Sequence, residues 1–291
     1  MYLVSALLPS MALVISGSEL FASDCTVSPA SVPQGEVMHI ACDEGQTAQM
    51  NGRTIRLFPQ SDGQKLGLMP VPVLEKPREY SILLRGQDGA TLHTLTVRVL
   101  DAHYPKQNVA IKDSTAALKP SPGEQETVTA FRETVSLERY WGDSIQMPVP
   151  GCLTSRFGVQ RFFNGKPTGD FHAGLDQRAA TGTPIHAVAA GVVRIVRDFR
   201  LRGGTVAIDH GQGLESIYMH MSKTAAQEGA HVSAGDVIGY VGATGRANGP
   251  HLHWTLYVNG VPVNPVQWVK VPAPCGTARS TTRAPRRRPS Q

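Results

Sequence analysis

From Gly249 to Val258 the chain alternates between two kinds of residue. Successive side chains of a β-strand point to opposite faces. Read as a strand, the run places Leu252, Trp254, Leu256 and Val258 on one face and His251, His253, Thr255 and Tyr257 on the other. The first face is apolar and suited to burial. The second carries two imidazoles side by side, directed away from that core. Asn259-Gly260 is a turn pair that ends the run. Similar short runs fill residues 25–100. Met38, Ile40 and Cys42 alternate with Val37, His39 and Ala41, and Asn51-Gly52 is a hairpin turn. Tyr80, Ile82 and Leu84 face one way, and Asp88-Gly89 turns the chain into Leu95, Val97 and Val99. This spacing predicts a small immunoglobulin-like β-sandwich over 24–102.

Residues 150–270 again read as short strands between glycines. Ile185–Val196 is apolar with Gly191 as a bend, and Gly235–Gly242 is a further strand. Thr205–Asp209 and Leu214–His220 flank His210-Gly211-Gln212-Gly213, a loop of hairpin length. Residues 103–149 differ. Lys106–Gly123 is polar and contains proline, which suits a linker, and Glu124–Tyr140 predicts one helix with Val128, Phe131, Val135 and Leu137 as its apolar side. The expected fold class is therefore all-β: the sandwich, a short helical linker, and a mainly antiparallel β-domain over 150–270.

The chain ends change the reading of the charge. The net charge is +5, and residues 271–291 hold Arg279, Arg283, Arg286, Arg287 and Arg288 with no acidic residue and no lysine. The body is thus close to neutral, so a nucleic-acid partner is not expected, and the tail reads as disordered. Residues 1–22 are apolar, without Lys or Arg, and read as an export signal ending near Leu20-Phe21-Ala22-Ser23. A buried helix or a membrane anchor is the alternative, but Pro9-Ser10 and Ser16-Gly17-Ser18 interrupt the run, and no integral membrane span is expected in the mature chain. Cys25, Cys42, Cys152 and Cys275 form no CxxC pair. Pairing Cys25 with Cys42 and Cys152 with Cys275 keeps each bridge within one predicted domain, and disulfides suit an oxidising compartment, the periplasm or the cell-wall space.

Seven of the ten histidines lie between His172 and His253. In Phe171-His172-Ala173-Gly174-Leu175-Asp176 an imidazole and a carboxylate four apart can converge on one ion. With His253 they make a two-histidine, one-carboxylate set of the kind that binds Zn²⁺ with a position left open for water. His251 and His220 are the candidates to move protons and stabilise an oxyanion. Each piece alone also fits an ordinary polar strand face. No HExxH zinc signature occurs, and Gly239, Gly242 and Gly245 read as tight turns, since no helix follows them.

Taken in order, these residues resemble the M23 (lysostaphin- or LytM-like) zinc metallopeptidases. Thr154-Ser155-Arg156-Phe157-Gly158 followed by His172-Ala173-Gly174-Leu175-Asp176 resembles that family's opening motif. Gly182-Thr183-Pro184-Ile185, Ala189-Ala190-Gly191-Val192-Val193, Tyr218-Met219-His220-Met221-Ser222, Val241-Gly242-Ala243-Thr244-Gly245 and Gly249-Pro250-His251-Leu252-His253 resemble the motifs that follow. The resemblance covers nearly all of 150–270. It implies zinc on His172, Asp176 and His253, with His220 and His251 as the catalytic pair, and peptidoglycan peptide stems as the substrate of an exported endopeptidase. A non-catalytic wall-binding or amidase-activating module is the alternative, because some family members have lost ligands, although all five positions are filled here. A peptidase for Gly-rich peptides is a further reading. A monomer is expected.

The other histidines are read as structural or surface residues, with His186 a candidate to line a cleft. Tyr240 and Tyr257 are read as packing at the core or rim. Arg246 and Asn248, in the loop before the HxH strand, are candidates to contact a peptide.

Overall fold

A computed structural model describes residues 25–142, 145–270, 272, 274 and 275. The predicted export signal and all but the first residues of the basic tail lie outside the described residues. The fold is all-β. Among the described residues, helix is confined to Asp113–Ala116, Glu124–Arg132 and a 3-10 turn at Pro265–Gln267.

The N-terminal strands form two sheets. One has four strands, with Val37–Cys42 between Cys25–Ser28 and Lys65–Pro70. The other has five strands, centred on Arg78–Arg85 and Thr91–Leu100. The alternation does what its period requires: Ile40, Met69, Ile82, Leu84, Val97 and Val99 are buried between the sheets. Asn51 and Gly52 take φ of 46° and 78°, as the predicted hairpin turn demands. Both predicted disulfides are present. Cys152–Cys275 spans 123 residues; closing a loop of that size removes on the order of 4–5 kcal/mol of unfolded-chain entropy.

The second unit is built on an eight-stranded sheet. Its strands in chain order are β1 (Cys152–Ser155), β2 (Leu175–Arg178), β3 (Gly191–Phe199), β4 (Gly203–Gly211), β5 (Leu214–Met221), β6 (His231–Val232), β7 (Leu252–Val258) and β8 (Val261–Val263). They pair in the order β1-β2-β7-β5-β4-β3-β6, with β8 sharing the β2 edge of β7. The expected single run Ile185–Val196 is divided. Pro184–His186 joins a separate three-stranded sheet, and the chain re-enters the large sheet only at Gly191.

One face of the large sheet carries Leu175, Val206, Ile208, Tyr218, Trp254 and Leu256, all fully buried. Val37, Leu68 and Val73 of the N-terminal strands join this same core. Gln267 exchanges two hydrogen bonds with the Val37 backbone, and Asn259 donates to the Leu68 carbonyl. The two β units therefore share a hydrophobic core.

The other face, which carries the histidines of β7, is covered over much of its length. All seven residues of β7 are buried. The helix Glu124–Arg132 lays Val128 and Phe131 on Ile195, Ala207, Ile217 and Tyr257 of that face. It is tied down at both ends. Glu124 accepts from Ser121, from the Leu201 and Arg202 backbone, and from the Arg202 guanidinium. Arg132 donates to the Gly260 carbonyl with its guanidinium 5.0 Å from the Tyr257 ring centroid. The helix stops at Arg132, short of the predicted Tyr140. Beyond it Thr134-Val135-Ser136 is poor helix sequence. The chain instead bonds along the β4–β5 turn, through Gln212 N to Ser136 O and Tyr140 N to His210 O. Val135 and Leu137, placed on the helix's apolar side by the periodicity, are 43% and 58% exposed.

Under this cover lies Glu215, fully buried, whose carboxyl oxygens have no hydrogen-bond partner among the described residues. Burial, with Asp209 opposite it on β4, pushes its carboxyl well above the carboxylate range despite Arg132. The folded chain thus holds a proton there that the unfolded chain loses above about pH 4.3, so this group's contribution to stability falls as pH rises, by up to about 1.4 kcal/mol per pH unit. Glu215→Gln is expected to be more stable than the natural chain at pH 7–8 and equal to it near pH 4, measured by urea unfolding across pH. Leu175→Ala, in the core beside the site, is expected to cost about 2–5 kcal/mol in the same measurement.

Candidate metal centre

Asp176 on β2 and His253 on β7 are cross-strand neighbours in register, and Met219 of β5 lies on the other side of His253. His172 precedes β2 in a loop held by two backbone bonds, His172 N to Val159 O and Gly158 N to His172 O, both 2.8 Å. The chain turns back from His172 to Asp176 at Gly174. A Cβ there would lie 2.2 Å from the Trp254 carbonyl oxygen, so only glycine lets the turn sit against β7.

Three atoms converge as a result. His172 Nε2 is 3.0 Å from Asp176 Oδ1 and 2.9 Å from His253 Nδ1, and the last two are 2.7 Å apart. All three residues are buried. The outer ring nitrogens are committed elsewhere. His172 Nδ1 donates to the Arg156 carbonyl at 2.8 Å, with the Ser155 hydroxyl at 3.1 Å, and His253 Nε2 bonds the Thr255 hydroxyl at 3.0 Å. With a proton on each outer nitrogen, the tautomer a metal ion requires, the inner nitrogens direct their lone pairs at the triangle. The other oxygen of Asp176 is paired with Arg161. Burial would raise the Asp176 carboxyl, but His172, Arg161 and the imidazole hydrogen bonds together hold it well below the carboxylate range. Burial pushes His253 down to about 4, so it is neutral at neutral pH. Two imidazole nitrogens and one carboxylate oxygen on a buried triangle make a donor set suited to a divalent ion. Zinc ligands at about 2.0–2.2 Å stand some 3.3–3.6 Å apart in a tetrahedron, so a slight spreading of this triangle accommodates one.

His220 and His251 stand beside the triangle. Their ring centroids are 4.9 Å apart, and that of His220 is 6.2 Å from that of His253. His220 Nδ1 donates to the Thr244 carbonyl and His251 Nδ1 to the Gly249 carbonyl, both at 2.8 Å, so each leaves Nε2 without a hydrogen-bond partner among the described residues. Burial, with His251 and His253 nearby, pushes His220 down to about 3, and it is a neutral acceptor. Its backbone is in the left-handed region at φ 64°, a conformation costing a non-glycine residue on the order of 1 kcal/mol and found where structure constrains a functional side chain. All five residues line one cleft of about 1120 Å³.

The five sequence-predicted site residues are thus brought together. Arg246 and Asn248 also line the cleft, as does Tyr257. His186 does not: its Nδ1 bonds the Gly235 carbonyl away from the cleft lining. His210 is a buried structural residue between the Ala190 carbonyl and Ser216. Three participants were missed. Thr255 shares the strand face of His253, and Ser155 lies within the quoted opening motif, so both could have been found. Arg161 has no local signal, because its partner is fifteen residues away across a hairpin.

Residues 170–265 match peptidase family M23. The chain carries an M23 peptidase domain. A Neisseria meningitidis relative, DD-carboxypeptidase/endopeptidase Mpg, is 41% identical over 138 residues, 47% of this chain and 31% of that protein. Peptidoglycan DD-endopeptidase ShyA of Vibrio cholerae is 43% identical over 93 residues, 32% of this chain and 22% of that protein. The matched region is therefore about a third or less of each of these relatives. A crystal structure from Pseudomonas aeruginosa, described as a peptidase M23, superposes with a TM-score of 0.63 at 29% identity, covering 81% of this chain and 93% of that one. That likeness spans both β units, whereas the M23 match lies in the second.

Thr255→Val removes the hydroxyl that bonds His253 Nε2 while keeping the shape of the side chain. It is expected to weaken zinc binding about 10–100-fold, measured by competition with a chromogenic chelator, with unfolding stability changed by less than about 1.5 kcal/mol.

Proposed function

We propose that this chain is an exported, zinc-dependent endopeptidase that hydrolyses peptide cross-links of bacterial peptidoglycan. The observation that carries this reading is the convergence of His172, Asp176 and His253 beside the Nε2 atoms of His220 and His251, in one open cleft. The named activities of the M23 relatives support the substrate class. Two disulfides support export to an oxidising compartment.

His172, Asp176 and His253 would hold the ion. When bound, zinc acidifies a water molecule and polarises a substrate carbonyl. The remaining work falls to the protein. His220, neutral and fixed by the Thr244 carbonyl, accepts a proton at Nε2 and returns it to the leaving amine. His251, fixed by the Gly249 carbonyl, faces the same space and donates to the developing oxyanion when protonated at Nε2. Arg161 keeps the Asp176 carboxylate ionised and oriented. No covalent intermediate is required.

The test is release of soluble muropeptides from purified peptidoglycan, with products identified by mass spectrometry. Activity is expected to disappear with chelator and return with zinc; chelator-resistant hydrolysis overturns the zinc assignment. His253→Ala is expected to lose both metal and activity. His251→Ala is expected to keep the metal and lose at least about a hundredfold in kcat, and retained turnover overturns its role. A metal-loaded chain that hydrolyses no wall preparation would instead favour a wall-binding or amidase-activating module.

A further inference from the structure

The charge of the cleft is one-sided. Its lining includes Arg132, Arg161, Arg178, Arg202 and Arg246 against the acids Asp170 and Asp176. Three of these arginines are already engaged. Arg132 holds the Gly260 carbonyl, Arg161 holds Asp176, and Arg202 holds Glu124 and Gln125. Arg178 is exposed. Arg246 stands apart. It is half-buried, its guanidinium sits 5.5 Å from the Phe163 ring centroid, and its side chain makes no hydrogen bond or ion pair among the described residues.

The groups around Arg246 sharpen the point. Burial is the largest influence on it and disfavours its charge; Arg161 and Arg202 repel it further. Asp170 favours the charge but is exposed and outside ion-pair distance, and Glu124, which also favours it, is saturated by Ser121, Leu201 and Arg202. A partly desolvated guanidinium with no acceptor is costly unless an anionic group joins it. Its base is also rigid. Arg246 N donates to Leu201 O at 2.8 Å, and Gly245, at φ 71°, packs so closely that a Cβ would meet Gly203 N at 2.5 Å. Thr244 bonds both Gly204 N and Met221 O. The backbone that carries the cation is held in place before a ligand arrives.

We propose that Arg246 is a specificity residue that binds a carboxylate carried by the substrate, so that the cleft selects peptides with a free carboxylate near the scissile bond. This rests on the peptidase reading above. A planar guanidinium braced on an aromatic ring suits a forked contact to carboxylate. The carboxylate comes either from the C-terminus of the peptide, which makes the chain a carboxypeptidase on such substrates, or from an acidic side chain within it.

The experiment uses the zinc-loaded full chain and one synthetic stem-peptide sequence in three forms: all carboxylates free, C-terminus amidated, and side-chain carboxylates amidated. The natural chain is expected to prefer the free form over one amide by about tenfold or more in kcat/KM. That ratio is expected to collapse to below about two in Arg246→Gln, chiefly through KM, and to recover in part in Arg246→Lys. The amide that is discriminated against identifies the source. Equal losses on all three peptides in Arg246→Gln, or an unchanged preference, overturn the assignment. The same peptides titrated calorimetrically against His251→Ala, with and without Arg246→Gln, separate the two readings. A carboxylate preference in binding that disappears with Arg246→Gln sustains the role of Arg246 even if no peptide is cut, an outcome that overturns only the hydrolytic reading. Absence of any carboxylate preference in binding overturns the role of Arg246.

Discussion

Asp176 and His253 lie opposite each other across antiparallel β2 and β7, and a slip of one residue would turn one of them into the hydrophobic core. The register is held from the apolar side, where Leu175, Leu252 and Trp254 are fully buried. The same alternation that buries these three brings the carboxylate and the imidazole together on the opposite face. His172 joins them because Gly174 lets the preceding loop lie against the β7 backbone. A carboxylate and two imidazoles within 3.0 Å of one another are costly to bury as a set unless each is satisfied. The Arg156 carbonyl, Ser155, Thr255 and Arg161 supply that satisfaction from the outside, leaving the inner atoms for a ligand.

The polar face of the sheet is divided by what covers it. Toward Glu215 and Asp209 it lies under the helix Glu124–Arg132 and the chain that follows. Toward His253 it opens into the cleft. The two halves are mechanically connected. Glu124 at the helix start holds the backbone of Leu201 and Arg202. His220 N donates to the Arg202 carbonyl, Arg246 N to the Leu201 carbonyl, and Thr244, whose carbonyl receives His220 Nδ1, bonds Gly204. One short turn between β3 and β4 therefore braces the helix, the strained His220 and the loop that carries Arg246. Rigid support of this kind holds catalytic and binding groups in geometry that surface loops alone do not maintain.

Much of this was legible from residue order. Period-two alternation identified the N-terminal sandwich strands and both faces of β7. The pairing of Cys25 with Cys42 followed from the expected domain division and left Cys152 to Cys275, which lies just beyond the expected 150–270 domain. His172, Asp176, His220, His251 and His253 could be chosen because imidazole and carboxylate chemistry limits which residues can hold an ion or move a proton. The helix end was misjudged because Val135 and Leu137 kept the apolar period, while Ser136 and Tyr140 found backbone partners on the β4–β5 turn that no local pattern announces.

By itself the sequence determined which side chains face together and which chemistry they can perform, because strand periodicity and donor types are local properties. Tertiary structure decided that the polar face of β7 is half covered, that Val37, Leu68 and Val73 of the first unit join the core of the second, that Arg161 secures Asp176, and that Arg246 is left without an acceptor among the described residues. Those outcomes depend on which distant segments compete for the same surface and the same charge, and such competition is settled only when the whole chain packs.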